Sequence, residues 1–246
     1  MNIRLLLTLL ISLLLFACAR ENKESTLLNA QEIVDASIMA HGGAAYDKLN
    51  LTYTFRKKDY SIQKGEEGIT YTRTTYRDSM TVLDRLENGN FSRSINGQAI
   101  QVVDSMAQKY SNSVNSVNYF VQLPSLLNDG SVQKKLLGKT QVKGQKYYKI
   151  QVNFTEEGGG EDFEDTYIYW FRTDNFIMDY LAYDYKTDGG GVRFREAYNP
   201  REASGIRIQD YVNYKADHTR FKVQEMDKLF EEGKLEELSK IETILK

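Results

Sequence analysis

A chain of 246 residues that is 41% hydrophobic and 27% charged is neither a disordered polar protein nor a multi-pass membrane protein. Its 32 basic and 34 acidic residues leave a net charge of −2, without the positive excess that holds a nucleic-acid backbone, so no nucleic-acid partner is expected. One cysteine, Cys18, rules out an internal disulfide and a cysteine-based zinc site, and two histidines, His41 and His218, leave little for a metal centre. No metal and no cofactor are expected.

The chain opens with Arg4 and an apolar run from Leu5 to Ala17. That run is short for ~30 Å of hydrocarbon and reads as a secretory signal. It ends Leu15-Phe16-Ala17-Cys18, which matches the bacterial lipobox. In such signals the thiol receives a diacylglycerol and cleavage leaves the cysteine as the new N-terminus. Residues 1–17 are therefore expected to be a signal peptide, and residues 18–28 a lipidated tether. Ala19 rather than Asp after the cysteine resembles lipoproteins released to the outer membrane. The membrane, reached through this lipid, is the first expected partner, and the expected location is the bacterial cell envelope.

The body, 29–246, reads as one domain. Asn29 is a preferred N-cap, and Glu32 completes a capping box for a first helix that ends at Gly42. From Leu51 the apolar period changes to two. Asn88-Gly89 and Asn96-Gly97 are hairpin turns, the second flanked by Phe91–Ile95 and Gln98–Val103. Further strands are expected at 148–154, Thr166–Phe171, Ile177–Tyr185, Val192–Tyr198 and Ile206–Tyr214. In the last of these, Ile206, Ile208 and Val212 face one side and Arg207, Gln209 and Asn213 the other. Val117–Leu127 is apolar and broken by Pro124, and Ser131–Leu137 suits a short helix. Gln224–Glu232 and Leu235–Ile244 read as C-terminal helices. The expected class is α+β: a large curled antiparallel sheet, a half-barrel of roughly nine to eleven strands, wrapped on the N-terminal helix, with inserted and C-terminal helices.

The lipobox, Glu32-Ile33-Val34-Asp35, His41-Gly42-Gly43 with Tyr46 and Leu49, Phe163-Glu164-Asp165, the run from Gly189 to Pro200 and Gly205-Ile206-Arg207 resemble a family of Bacteroidetes lipoproteins without an established function. The likeness covers nearly the whole mature chain. It implies a fold similar to the LolA/LolB lipoprotein-sorting proteins, in which a half-barrel sheet with helical lids holds acyl chains. Some relatives carry a deoxyribose-phosphate aldolase label. Such aldolases are α/β barrels with a Schiff-base lysine, which the antiparallel reading contradicts.

The triple-glycine segments Gly158–Gly160 and Gly189–Gly191 are expected to meet at one end of the sheet, ringed by Glu156, Glu157, Glu161, Asp162 and Asp188. Carboxylates suit calcium, but the 1-3-5 ligand spacing is missing, and a solvated loop pair facing nearby arginines is preferred. Arg193 and Arg195 share one face of their strand and Arg207 joins them from the next. Inside a curled sheet they would bind a carboxylate or phosphate, with Glu196 beside them. An outward or Glu-paired placement is preferred. His41 is read as a cation at a helix C-terminus, a structural role. His218 is read as exposed. No serine triad, P-loop or His-Glu-x-x-His motif occurs. Tyr167, Tyr169 and Phe171 leave their strand on one face, Ile168 and Trp170 on the other, so this strand is expected to be covered on both sides. Ligand-binding candidates are His41, Tyr119, Trp170, Arg193, Arg195 and Glu196, with Cys18 as the lipid attachment point. The expected function is a non-catalytic binder or carrier of a lipid or other hydrophobic ligand, gated by Val117–Leu137 and the C-terminal helices. A structural lipoprotein with a filled core is the second reading, and a hydrolase or aldolase the third.

Overall fold

In the computed structural model, which describes residues 28–157, 163–186 and 189–246, the chain enters through helix α1 (Ala30–His41). The Glu32 N–H donates to the Asn29 side chain at 3.0 Å and the Asn29 N–H to the Glu32 carboxylate at 2.8 Å. This reciprocal pair satisfies two of the free N–H groups at a helix start. Ile33 and Val34 are fully buried. Gly42 ends the helix at φ 142°, where a Cβ would lie 2.7 Å from the Gly205 carbonyl oxygen. The signal peptide, Cys18 and all of the tether but Leu28 lie outside the described residues, as does Gly158–Gly160.

A 3-10 turn over Gly43–Lys48 leads into an antiparallel meander: β1 (Asn50–Phe55), β2 (Lys58–Gly65), β3 (Gly68–Arg77), β4 (Met80–Glu87), β5 (Asn90–Ile95) and β6 (Gln98–Ile100). Asn88-Gly89 and Asn96-Gly97 turn with positive φ at both positions, the geometry that matches strand twist in a tight hairpin. The strand expected to reach Val103 stops at Ile100. Helix α2 (Asp104–Val121) follows and lies across β2–β5. The Tyr53 hydroxyl donates to Asn118 at 2.8 Å, and Gln122 just beyond the helix donates to the Tyr71 hydroxyl at 3.0 Å. Beneath the helix, Asp84 is almost fully buried and receives Arg73 at 2.7 Å and Arg93 at 2.5 Å. Arg73 also donates to Ser113, and Arg93 stacks 3.5 Å from the Tyr110 ring. Polar anchors therefore hold this helix as much as its apolar stripe does.

The second sheet holds β7 (Val132–Val142), β8 (Gln145–Phe154), β9 (Tyr167–Arg172), β10 (Met178–Tyr185), β11 (Gly191–Ala203) and β12 (Ile206–Ala216), again antiparallel neighbours in chain order. The short helix expected at Ser131–Leu137 is the start of β7, because pairing with β8 satisfies its backbone along the whole length. Helix α3 (Met226–Glu231) is a shorter version of the one expected at Gln224–Glu232. The helix expected over Leu235–Ile244 is two strands, β13 (Glu236–Ile241) and β14 (Thr243–Leu245). Its Glu, Lys and Leu favour a helix locally, and pairing to β12 and β1 overrides that weak preference.

The curled antiparallel α+β arrangement is present as two seven-stranded sheets. Their orders are β14-β1-β2-β3-β4-β5-β6 and β13-β12-β11-β10-β9-β8-β7, so consecutive strands β13 and β14 edge one sheet each. Buried Asp210 fixes this seam. Its carboxylate accepts the Thr243 N–H at 2.9 Å and the Arg201 guanidinium at 2.9 Å, and Arg201 also donates to the Thr243 carbonyl. The antiparallel sheets confirm that the chain is not an α/β barrel.

Two cores result. The inner one lies between the sheets and includes Tyr53, Ile62, Leu127, Tyr169, Phe171 and Leu181. The outer one includes Ile168, Trp170, Val192 and Phe194, covered by Val223, Met226 and Leu229. β9 is thus covered on both faces, as its pattern predicts. Among the described residues, no helix is long and apolar enough to cross a membrane.

Candidate functional site

The inner core is incomplete. Between the sheets, bordered by the C-terminal half of α2 and the loop after it, lies a cavity of about 840 Å³. That falls in the range of small-molecule sites. Phe55 and Tyr71 border it from the first sheet, and Val117, Tyr119 and Phe120 from α2. Leu123, Leu126 and Asp129 follow in the loop. Phe154, Tyr169, Leu181 and Tyr183 border it from the second sheet, and Leu238 and Ser239 from β13.

The aromatic rings are locked against one another. Tyr167 stacks on Tyr183 at 5.6 Å, and Phe154 meets Tyr119 and Tyr167 edge-on at 6.2 and 5.6 Å. Such contacts add to the stability that burial alone provides and fix the shape of the wall. Burial pushes the Tyr119 and Tyr169 phenols well above their ordinary range, so both remain neutral. The Tyr119 hydroxyl donates to the Leu126 carbonyl at 3.2 Å, tying α2 to its loop. Burial also raises the Asp129 carboxyl, against the opposing influence of Lys64 and Lys134.

Arg193 and Arg195 enter the cavity from β11, which corrects the preferred outward placement. The physical reason is the second core. The other face of β11 carries Val192 and Phe194, which are buried under the segment containing α3, so the arginine face turns inward. On β12, Ile206 and Ile208 lie in the inner core, and alternate positions further along are buried as well. Gln209, Tyr211 and Asn213 lie on the face that reads as solvent-exposed from alternation, and all three are buried. Asn213 pairs in register with Arg195 and also borders the cavity. It was missed from the sequence because a polar residue alternating with apolar ones signals solvent, and only the covered outer face reverses that inference. Asp129 was missed for want of any local signal.

Among the described residues, neither Arg193 nor Arg195 forms an ion pair with a carboxylate. Arg195 donates to the Tyr183 hydroxyl at 3.1 Å and lies 4.5 Å from the Phe120 ring centre. Arg193 donates to the Val192 carbonyl at 3.0 Å and lies 5.0 Å from the Tyr185 ring centre.

The other candidates separate. Trp170 is fully buried on the outer face, where its indole N–H donates to Asp227 at 3.3 Å. Glu196 shares that side, accepts Lys143 at 2.5 Å and lies 3.4 Å from the Tyr214 hydroxyl. His41 is buried at the end of α1. Its Nδ1–H donates to the Ser37 carbonyl at 2.8 Å, and its Nε2 accepts the Met178 N–H at 3.4 Å. Burial lowers its pKa to about 4, partly opposed by the Ser37 bond, with Arg207 lowering it further and Asp179 raising it. The imidazole is therefore neutral near pH 7, and the helix-end cation expected from sequence is not formed. The gate needs one correction: Val117 and the loop after α2 border the cavity, whereas α3 packs on the far side of the second sheet.

His218 is exposed as expected, beside Gly190 in a smaller depression of about 410 Å³. Among the described residues, no group of three or more His, Cys, Asp or Glu is placed to hold a metal ion.

The chain belongs to DUF6503, a family of unknown function whose model matches residues 4–243. No functionally curated protein matches the sequence. Among solved structures it is similar to a LolA superfamily protein from Nitrosomonas europaea, with 12% identity and a TM-score of 0.46 over 77% of this chain and 87% of that one. It is also similar to a domain assigned to outer-membrane lipoprotein sorting from Vibrio parahaemolyticus, with 9% identity and a TM-score of 0.41 over 82% and 99%. A third likeness, to the lipoprotein LppX of Mycobacterium tuberculosis, has 13% identity and a TM-score of 0.28 over 63% and 88%.

Proposed function

For this member of DUF6503 we propose a non-catalytic binder or carrier of a lipid or other hydrophobic ligand, anchored in the bacterial envelope through Cys18. The observation that carries the reading is the cavity of about 840 Å³ walled by interlocked aromatic rings between two sheets. Apolar surface left uncovered inside a fold forgoes about 25 cal/mol per Å², and an apolar guest recovers it. The lipobox and the outer-membrane assignment belong to the same proposal and rest on Leu15-Phe16-Ala17-Cys18 and Ala19.

The second reading, a structural lipoprotein with a filled core, has this cavity against it. A hydrolase built on His41, Arg193 and Glu196 has their separation against it, since Glu196 shares the outer side of its sheet and His41 is buried at the end of α1.

Native mass spectrometry of the chain from Cys18 onward, followed by organic extraction, tests the reading. The expected result is a bound species of lipid mass. A clean apo mass, with no uptake of added amphiphiles, would sink it and favour an interaction protein.

A further inference from the structure

We propose that the ligand enters as an apolar chain carrying an anionic head, a carboxylate or a phosphate, and that Arg193 and Arg195 hold that head. The inference rests on the carrier reading above and adds the chemistry of the ligand's polar end.

A guanidinium offers five N–H donors. Arg195 directs one to Tyr183 and Arg193 one to the Val192 carbonyl, and among the described residues neither forms an ion pair with a carboxylate. The Arg195 Nε is buried without an acceptor from the protein. On the neighbouring strand its register partner Asn213 has a buried Oδ1 without a donor. Unmatched polar atoms inside a protein are costly and rare; the Asn213 oxygen needs a donor, and the unmatched donor on Arg195 marks a place for an acceptor. The donor on Arg195 calls for an acceptor oxygen, and the positive charge calls for an anion.

The surroundings fit the rest of such a molecule. Arg195 lies against the rings of Phe120 and Tyr183, and Arg193 against Tyr185. Stacking of this kind holds a guanidinium plane in place, so less freedom is lost when a carboxylate or phosphate docks on its edge. The lining also carries Tyr119, Leu123, Phe154 and Leu181, which suit an apolar chain. Asp129 and Asp165 also border the cavity. Asp129 is opposed by Lys64 and Lys134 rather than by either arginine. Two arginines set among aromatic and aliphatic lining residues suit an amphiphile better than a neutral oil or a free anion.

The test is calorimetric titration of the lipid-free chain from Cys18 onward with four probes: decanoate, decyl phosphate, decanol and inorganic phosphate. The three decyl compounds share one chain length and differ at the head. The expected result is that at least one of the two charged amphiphiles binds on the order of tenfold more tightly than decanol, the worth of a charge-assisted hydrogen bond. R193Q/R195Q removes this preference, read as the ratio of charged-amphiphile to decanol affinity on the same variant, and inorganic phosphate alone gives no measurable heat. Equal binding of decanol and both charged amphiphiles overturns the proposal, as does a preference that survives R193Q/R195Q. Inorganic phosphate binding as tightly as decyl phosphate overturns it too, since the site would then serve a free anion. Failure of all four probes removes the carrier reading as well, whereas decanol binding without a preference for charge removes only this inference. The head-group comparison on the unaltered chain stands even where the double variant fails to fold.

Discussion

The Lys149 ammonium lies 2.8 Å from the Asp227 carboxylate, and this pair ties α3 to the outer face of the second sheet. Both side chains are nearly enclosed. Lys149 also donates to the Gln224 carbonyl at 2.5 Å, and the Trp170 indole to Asp227. Removing one member strands the other charge, which costs about 3–5 kcal/mol at buried sites. D227A is therefore expected to lower the urea midpoint strongly, while K149M/D227L recovers most of the loss. Amphiphile binding to the folded D227A chain is expected to be unchanged, because the cavity is on the other side of the sheet.

His41 gives a pH dependence of definite sign. Its pKa is about 4 in the folded protein against an ordinary 6.5. Between those values the unfolded chain holds the extra proton, so stability is complete above pH 6.5 and falls as the pH drops toward 4. The full effect is about 3 kcal/mol. Urea unfolding of the protein and of H41Q at intervals from pH 7 to 5 is expected to show a steeper decline for the unaltered chain. Parallel slopes would mean that His41 is protonated inside the fold.

Gly42 is a steric requirement. An alanine there would hold φ near 142° and press its Cβ within 3 Å of Gly205 and Ile206. G42A is expected to cost roughly 1–3 kcal/mol in chemical denaturation. G89A, where a Cβ meets open space, is expected to cost less, since only the left-handed backbone conformation is disturbed.

Cys18 is expected to control partition. In a bacterial host that processes lipoproteins, C18A moves the protein from the membrane fraction to the soluble one, and palmitate labelling disappears. Retention in the membrane without label would point to an uncleaved signal holding the chain. One acyl chain gives marginal anchoring and two or more give firm anchoring, so partial acylation is expected to give a mixed distribution.

Local chemistry made part of this fold legible. The Asn29–Glu32 capping box, Gly42 and the two Asn-Gly turns involve neighbours in sequence, and each stands where the sequence puts it. Period-two alternation located β8–β12, yet alternation says nothing about which face turns inward. Polar-out is the ordinary inference, and it failed on β11 and at the Asn213 end of β12 because an added layer covers the outer face there. The first half of α2 was obscured for a related reason. Its attachment runs through Arg73, Asp84 and Arg93, on β3, β4 and β5, as much as through an apolar stripe. β13 and β14 were hidden by helix-favouring residues whose partners are β12 and β1. Of the candidate ligand-binding residues, Tyr119, Arg193 and Arg195 line the cavity together, while Trp170, Glu196 and His41 serve the framework.

The pairing of Tyr53 with Leu245 sets an order of events. Among the described strands β1 is made first, and its outer neighbour β14 is made after all the others. Until that neighbour arrives, the first sheet has an open edge at β1, and β13, which supplies Leu238 and Ser239 to the cavity, is not yet made. Contacts this distant in sequence form slowly, because a long loop must close before any pairing energy is gained. A nascent chain therefore has no container to fill. On the carrier reading proposed above, a ligand present during refolding is expected to act late, by holding the two sheets at their final spacing rather than by nucleating either one.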